Sequence, residues 1–313
     1  MSTGRAARLR TYLSQAFPVA VLVPSAFVNV AAIHMTLHAL AFPGPARIGW
    51  RFVPGSLSIA LFMLLLRVFD ELKDAESDRA LARAGDARFA GRVVVTGAVH
   101  ESDLAFLARW VGALLVLLNV PMGFPLPLGA FAITFVVVIA SRHWFFWPSV
   151  KSHLVLAFLT HNPISLLLNG YVAAIFWREH RRITIEAIPL LAGLWLSVAA
   201  WETARKIRTP AEETDYQTYS KVLGLRTAIA TPGFLVAAST ACLLFVARAA
   251  RLGAWAAVPL ATSSALVAFA CVRALASPTP SRVRLRPFAE LHGAVANLAL
   301  GIAVAATHGV ALA

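Results

Sequence analysis

Long apolar runs, separated by short polar connections, extend from residue 17 to the C-terminal end of the chain. Runs of roughly 20 apolar residues have the length that crosses a bilayer as a helix. The pattern predicts spans at residues 17–41, 54–72, 103–120, 126–142, 153–177, 184–203, 226–248, 253–275 and 289–311. We therefore expect an all-α, polytopic membrane protein, with about nine transmembrane helices in a single domain over residues 1–313.

The basic segment before the first apolar run has two interpretations. A positively charged segment followed by an apolar run is typical of a secretory leader. This run continues to Phe42 and has no small-residue cleavage site. The sequence therefore predicts that the run is the first membrane span.

Composition excludes an ordinary soluble domain. Hydrophobic residues make up 59% of the chain, charged residues make up 14%, and the mean hydropathy is +0.72. Cys242 and Cys271 lie inside apolar runs and lack the spacing of a disulfide framework or a metal motif. A net charge of +13 would suit a nucleic-acid partner, but membrane topology and anionic lipid explain it more simply.

The acidic residues are concentrated in two short segments. The stretch RVFDELKDAESDR, residues 67–79, contains five of the 15 Asp and Glu residues of the chain. A second segment, residues 201–224, contains four more, namely Glu202, Glu212, Glu213 and Asp215. Ionisable groups beside hydrocarbon are costly, so such a concentration indicates function.

The distribution of Lys and Arg predicts which side of the membrane these segments face. With a cytoplasmic N-terminus, the connections 73–92, 142–151, 205–226 and 273–286 are also cytoplasmic, and together with the N-terminal segment they carry 19 of the 28 Lys and Arg residues. Arg178, Arg181 and Arg182 oppose this orientation. We expect a multi-pass protein of the cytoplasmic or inner membrane, with the N-terminus and both acidic segments on the cytoplasmic side.

In the first acidic segment, Asp70, Asp74 and Asp78 are spaced i, i+4 and i+8. On a helix that continues past the second span, this spacing places all three on one face. Three carboxylates on one face repel one another unless a cation lies between them. Oxygen ligands suit Mg²⁺, which shares its coordination shell with substrate phosphates.

A purely structural interpretation of the same segment remains open. On a solvated helix end, Asp70 would pair with Lys73, and Glu76 would pair with Arg79. The carboxylates would then need no metal.

The second acidic segment is mixed with basic residues. Glu202 and Lys206 have the spacing of an ordinary salt bridge on a helix. Beside a metal-binding face, Arg205, Lys206, Arg208 and Lys221 would instead form a clamp for diphosphate oxygens. A metal face and a basic clamp imply a phosphate-bearing substrate, and the aromatic and aliphatic spans imply that its remainder is a hydrocarbon. An isoprenoid diphosphate has both parts.

Histidines within the spans offer one further candidate. His34 and His38 have a spacing of i, i+4 and could bind a metal, but no third ligand lies nearby in sequence. His161-Asn162-Pro163 predicts a kinked helix, with Asn162 and Asn169 as alternative substrate contacts.

The acidic segments resemble those of the UbiA superfamily of intramembrane prenyltransferases, whose nine helices carry two Asp-rich motifs on the cytoplasmic side. The first family motif, Asn-Asp-x-x-Asp-x-x-x-Asp, is similar to Asp70-Glu71-x-x-Asp74-x-x-x-Asp78. Its continuation, Arg-Pro-x-x-x-Gly, resembles Arg92-Val-Val-Val-Thr-Gly97. A family element Tyr-x-x-x-Lys-Arg is similar to Trp147-x-x-x-Lys151-Ser152.

The second family motif, Asp-x-x-Asp-x-x-x-Asp followed by Gly, Thr and a later Gly, falls near residue 202. Glu202 stands at its first Asp and Arg205 at its second, while Thr218 and Gly224 are similar to its end. Basic groups thus stand where the family pattern has carboxylates.

The resemblance implies a helix bundle around a cavity that opens laterally and toward the cytoplasm, and metal-assisted ionisation of a prenyl diphosphate. It implies that Asp70, Asp74 and Asp78 hold Mg²⁺ and that Glu202 acts with them as a catalytic group. The implied diphosphate-binding residues are Arg92, Lys151, Arg205, Lys206, Arg208 and Lys221. The prenyl group would pass to a lipophilic or aromatic acceptor that the sequence does not identify.

Two other functions remain open at this point. The altered second motif suits a UbiA-like terpene cyclase, in which the allylic cation closes on itself. Carboxylates close to the bilayer also suit a permease or cation-binding protein. Transporters place their sites near the midplane, whereas Asp70 lies about 24 Å along a helix that begins near residue 54.

Overall fold

The computed structural model describes residues 4–214 and 216–312 and is largely helical. In chain order, its helices are α1 Arg5–Gln15, α2 Val19–Ala41, α3 Phe52–Arg83, α4 Ala87–Ala90, α5 Glu101–Asn119, α6 Leu126–Arg142, α7 Pro148–Ser152, α8 Leu154–His161, α9 Pro163–His180, α10 Ala187–Ala204, α11 Tyr219–Leu223, α12 Leu225–Ala249, α13 Gly253–Ala276 and α14 Arg286–His308. Short 3₁₀ turns cover Val120–Met122, Trp144–Phe146 and Pro210–Glu212. The strands are β1 Ala46–Ile48 and β2 Val310–Leu312.

Seven helices in the described part of the chain are long and apolar enough to cross a membrane. They are α2, α3, α5 with the turn that follows it, α10, α12, α13 and α14. The prediction of an all-α, multi-pass integral membrane protein is thereby confirmed, while the number of nine spans stays a prediction.

The structure differs from the predicted spans at two places. Helix α6, with 17 residues, is a shorter apolar helix. The predicted span 153–177 is divided, because α8 ends at His161 and α9 begins at Pro163. Proline has no backbone N–H and is favoured in the first turn of a helix, so it begins α9 here.

Helix α3 is longer than the span predicted within it. Its 32 residues extend about 48 Å, whereas the hydrocarbon core of a bilayer is about 30 Å thick. The apolar first half and the acidic second half therefore belong to one continuous helix. This confirms that the helix continues past the predicted end of the span at residue 72.

The chain forms two compact units. The first contains the chain up to Phe27 together with Val53–Lys151. Within it, Arg8 of α1 binds the buried Asp103 of α5, with Nε to Oδ2 at 2.6 Å and Nη2 to Oδ1 at 2.9 Å. The buried Asn119 amide donates a hydrogen bond to Ser58 Oγ at 2.9 Å and connects α5 to α3.

The second unit contains Val28–Phe52 together with the chain from Ser152 onward. Helix α10 packs against α9, α12 and α14, and α13 packs against α12 and α14. Gly193 of α10 allows the closest of these approaches, since a Cβ there would lie 2.8 Å from the Cγ and Cδ2 atoms of Leu243 on α12. Small residues at helix contacts are how membrane helices approach closely.

A short parallel pairing is the exception to an all-α fold. Ala46, Arg47 and Ile48 of β1 pair with Val310, Ala311 and Leu312 of β2. Gly309 precedes β2 with φ of +78°, a conformation that favours glycine, and its carbonyl accepts from Ala46 N at 3.0 Å. The pairing fixes the connection between α2 and α3 within the second unit.

Gly193→Ala tests the close contact of α10 with α12. The added methyl has to displace the buried Leu243 side chain, so we expect the free energy of unfolding to fall by about 1–3 kcal/mol. Gly170→Ala is the matched control, because a Cβ on this α9 glycine meets nothing within 4 Å. Denaturant unfolding in detergent micelles measures both, and equal stabilities for the two variants would contradict the close approach.

Candidate functional site

The Asp stripe, defined as Asp70, Asp74 and Asp78, lies on one face of the second half of α3 in the first unit. Asp70 is 48% exposed and pairs with the Nζ atom of Lys73 at 2.7 Å. That ammonium, only 6% exposed, also lies 4.7 Å from the centre of the Trp144 ring. At the Asp70 end of the stripe, a buried ammonium group therefore lies between a carboxylate and an aromatic face.

The other end of the stripe is paired as well. Asp78 is 5% exposed and accepts a hydrogen bond from the Arg92 guanidinium, which also lies 4.6 Å over the Phe89 ring. The backbone positions Arg92 because its N–H donates to the Phe89 carbonyl at 3.1 Å, and its own carbonyl accepts from Thr96 N at 2.9 Å. Arg92 thus reaches α3 from the turn that follows α4.

Glu71 adds a fourth carboxylate beside the stripe. Its side chain is buried and pairs through Oε1 with Arg67 one turn earlier on α3. The second oxygen, Oε2, is buried and finds no hydrogen-bond partner among the described residues. A buried carboxylate oxygen without a donor is costly, so this position favours an incoming donor or cation.

Asp74, the centre of the stripe, differs from its neighbours. It is half-buried, one turn from Asp70 and one turn from Asp78, and within residues 4–214 and 216–312 its carboxylate makes no hydrogen bond or ion pair. The three basic side chains beside the stripe, Arg67, Lys73 and Arg92, are paired with Glu71, Asp70 and Asp78. One carboxylate at the centre of the group therefore makes no direct contact with a cation, while the charges of Lys73 and Arg92 act on it through space.

Of the two ion pairs that the purely structural interpretation predicts, one forms. Asp70 does pair with Lys73 as that interpretation predicts. The predicted pair of Glu76 and Arg79 is wrong, because Arg79 Nη2 lies 2.6 Å from Glu101 Oε1 and Glu76 is exposed. The sequence does not single out Lys73 and Trp144 as a pair, since the chain brings them together from 71 residues apart.

In the second unit, Glu202 lies at the C-terminal end of α10 and is locally neutralised. Its carboxylate accepts from Arg205 Nη2 at 3.0 Å and from Lys206 Nζ at 3.1 Å. The Arg205 guanidinium also lies 5.2 Å over the Trp201 ring. The salt-bridge interpretation of this cluster is confirmed, and two of the four basic groups of the predicted clamp bind a carboxylate of their own chain.

The remaining members of the clamp bind the loop that carries them. The Arg208 Nη1 atom donates to the Ile207 carbonyl at 2.7 Å, and Lys221 Nζ donates to the Thr214 carbonyl at 2.9 Å. Lys151, which the resemblance adds to the diphosphate-binding residues, is exposed on α7 in the first unit. Arg205, Lys206 and Arg208 thus lie together after the end of α10 in the second unit. Arg92 and Lys151 belong to the first unit.

The acidic residues of the second segment stabilise the loop itself. Thr209 and Glu212 form a capping box at the turn that begins with Pro210, and the chain leaves α10 at Ala204, before that proline. Burial acts to raise the pKa of Glu212, but the hydrogen bonds from Thr209 and the charges of Arg208 and Arg284 together hold the pKa below its ordinary value. The Glu213 carboxylate accepts hydrogen bonds from the hydroxyl groups of Thr218 and Ser220. Asp215 lies outside the described residues.

Tyr219 is buried beneath the Glu202 cluster. Its ring lies 6.1 Å from that of Phe158 in an edge-on arrangement, and its backbone N–H donates to the Lys206 carbonyl at 3.0 Å. Burial and, second, the charge of Glu202 raise the pKa of Tyr219. The phenol is therefore neutral at physiological pH, and its hydroxyl has no hydrogen-bond partner in the part of the chain that the structure describes.

No protein-family model and no curated protein matches the sequence. Among solved structures, the chain is similar to the apo structure of a UbiA homolog from Aeropyrum pernix K1, with a TM-score of 0.66. The likeness covers 90% of this chain and 97% of that chain at 16% sequence identity. At that identity it establishes the fold, so the resemblance indicated by the first acidic motif is confirmed at the level of the fold.

The shared neutralisation of Glu202 predicts non-additive stability. Arg205→Ala and Lys206→Ala each leave one cation beside the carboxylate, whereas the double variant leaves none. We expect the double variant to lose at least about 1 kcal/mol more than the sum of the single losses. Denaturant unfolding of the four proteins measures this coupling.

The exposed pair of Arg79 and Glu101 provides the control for this cycle. Both side chains are more than 40% exposed, so the coupling between Arg79→Ala and Glu101→Ala should stay below about 1 kcal/mol. Additive losses at Arg205 and Lys206 would show that the carboxylate does not depend on both cations.

Proposed function

We propose that the chain is a Mg²⁺-dependent intramembrane prenyltransferase that ionises an isoprenoid diphosphate and transfers the prenyl group to a lipophilic or aromatic acceptor. Two observations support this proposal. The chain has the fold of a UbiA homolog over 90% of its length. The carboxylate of Asp74, between Asp70 and Asp78, is without a hydrogen bond or ion pair among the described residues, and this is the observation that carries the proposal.

The donor set of the Asp stripe fits Mg²⁺. All its groups are carboxylate oxygens, the ligands that hard divalent cations prefer, and the local basic residues leave Asp74 uncompensated. Asp70, Asp74 and Asp78 would hold the ion, which when bound supplies charge neutralisation for the leaving diphosphate. The buried, unpaired Oε2 atom of Glu71 adds negative potential at the same place.

The basic residues of the first unit would bind the diphosphate directly. The Arg92 guanidinium is one-third exposed, and a guanidinium has more N–H donors than a single carboxylate accepts. Lys73 is held between Asp70 and Trp144, so it would meet phosphate oxygens without further ordering of its side chain. Donors fixed before the reaction stabilise charge that develops on a leaving group.

The second unit would contribute less metal affinity than the family pattern implies. Glu202 is bound by Arg205 and Lys206, so its carboxylate is already compensated. The same two cations would act on diphosphate only where they exchange Glu202 for phosphate oxygens. The altered second acidic motif also suits a terpene cyclase, which requires no separate acceptor. The organic product distinguishes the two reactions.

Asp74→Asn tests the proposed ionisation chemistry. Geranyl, farnesyl and geranylgeranyl diphosphates are offered to the purified protein in detergent, with Mg²⁺ or with EDTA, together with candidate quinone and phenol acceptors. We expect diphosphate release that requires Mg²⁺ and falls at least about 100-fold in Asp74→Asn, because removal of one electrostatic stabiliser has this magnitude.

Glu76→Gln is the matched control on the same helix. It removes an exposed carboxylate two residues from Asp74 that lies off the stripe, so release should stay within about twofold of the unmodified protein. Equal release from Asp74→Asn and Glu76→Gln would show that the Asp stripe does not carry the reaction. A prenylated acceptor identifies a transferase, and cyclic products without acceptor identify a cyclase.

The same variant also predicts a stability change that does not depend on turnover. Without Mg²⁺, Asp74→Asn should unfold at a higher temperature than the unmodified protein, because the substitution removes like-charge repulsion from both neighbours. Addition of Mg²⁺ should stabilise the unmodified protein and leave Asp74→Asn unchanged. Thermal unfolding in detergent measures both effects, and an identical Mg²⁺ response in the two proteins would contradict a metal site at Asp74.

A further inference from the structure

Two histidines and a glutamate meet in the second unit, at the end of α10 opposite to Glu202. Glu179 and His180 close α9, and His34 reaches them from α2. One ligand atom from each of these three residues lies within 4.8 Å of the others. The Glu179 Oε2 atom is 3.7 Å from His34 Nε2 and 4.0 Å from His180 Nε2.

The polar atoms of this cluster are buried and unsatisfied. The side chains of His34, Glu179 and His180 are 1%, 8% and 14% exposed. Within the described residues, neither carboxylate oxygen of Glu179 nor His180 Nε2 has a hydrogen-bond partner, and the same holds for the Nδ1 atoms of His34 and His38. Arg51 approaches Glu179 Oε1 only to 3.9 Å. Burial of such groups is costly unless something binds them.

The surrounding backbone holds these side chains in place. His34 Nε2 is 3.0 Å from the carbonyl oxygen of Arg47, which belongs to the paired strand β1. Gly49 leaves the space that the Glu179 carboxylate occupies, since a Cβ there would lie 2.6 Å from Oε1. A ring nitrogen that donates its N–H to a carbonyl cannot bind an ion at the same time, so His34 Nε2 would exchange the Arg47 carbonyl for a bound ion.

We propose that His34, Glu179 and His180 bind a divalent transition-metal cation of the Zn²⁺ class. Two imidazoles and one carboxylate are a nitrogen and oxygen donor set that suits such ions, in contrast to the oxygen-only Asp stripe. Ligand atoms around tetrahedral zinc lie about 3.3 Å apart, so the observed distances need only a small inward movement. His38 is buried with its ring centre 5.2 Å from that of His180 and is the nearest additional imidazole.

The site would join two helices of the second unit. A bound ion would fix α2 to the end of α9. Fifteen residues of α10 separate its first residue, Ala187, from Glu202, a length of about 22 Å. The proposed ion therefore has no contact with the Glu202 cluster and does not depend on the proposed prenyl transfer.

Metal titration of the purified, tag-free protein tests the proposal. After removal of metal with a chelator, Co²⁺ is titrated in detergent with excess Mg²⁺ present to occupy the Asp stripe, while the visible absorption of Co²⁺ is recorded, and Zn²⁺ is then added as competitor. We expect one equivalent of Co²⁺ per chain in a low-coordinate nitrogen and oxygen site, displaced by Zn²⁺, and a higher unfolding temperature with Zn²⁺. Absence of saturable binding in the unmodified protein overturns the proposal.

Variants locate the bound ion. Glu179→Gln and His180→Ala should each weaken Co²⁺ binding at least about 10-fold. Gly49→Ala changes no ligand but displaces the Glu179 carboxylate, so it should weaken binding as well. His153→Ala, an exposed histidine of the same unit, and Asp74→Asn should bind as the unmodified protein does. Unchanged affinity in both Glu179→Gln and His180→Ala, or loss only in Asp74→Asn, overturns the assignment.

Discussion

A carboxylate among apolar helices is stable only when a cation or several hydrogen-bond donors face it, and this constraint organises the whole structure. Asp103 is satisfied by Arg8, Asp78 by Arg92 and Glu202 by Arg205 with Lys206. The Asp103 pair connects α5 to α1, and the Asp78 pair connects α3 to the turn after α4. The Glu202 cluster connects the end of α10 to the residues that follow it. Where a cation fully pairs with the carboxylate, the acidic residue therefore holds two segments of the chain together.

Among the described residues, compensation is incomplete at Asp74, with the unpartnered Glu71 oxygen beside it, and at Glu179, and these places differ in chemistry. At Asp74, like charges are crowded on one helix face and the surplus is negative oxygen. At Glu179, a carboxylate is enclosed with imidazoles that offer nitrogen lone pairs. A hard cation suits the first arrangement and a softer one suits the second, so the protein would distinguish its two ions by donor type and not by location alone.

The sequence predicts the features that depend on neighbouring residues. Apolar length gives the helices, the i, i+4, i+8 spacing gives the face shared by Asp70, Asp74 and Asp78, and Pro163 gives the break between α8 and α9. The sequence does not predict features that depend on which distant segments meet. Arg79 has a local partner available in Glu76 and binds Glu101 instead, and Glu179 with His180 lies far along the chain from His34. A short strand such as β1 gives no periodic signal, because three residues are too few for alternation to show.

The length of α3 has a consequence for how a substrate would be supplied. About a third of the helix exceeds the thickness of a bilayer, and Asp74 and Asp78 of the acidic stripe lie on that third, with Asp70 just before it. For the proposed reaction, the prenyl chain would remain dissolved in lipid while only its diphosphate reaches the stripe at the surface. The quantity that sets the rate is then the mole fraction of substrate among the surrounding lipids, and its concentration in the aqueous phase matters only through partitioning.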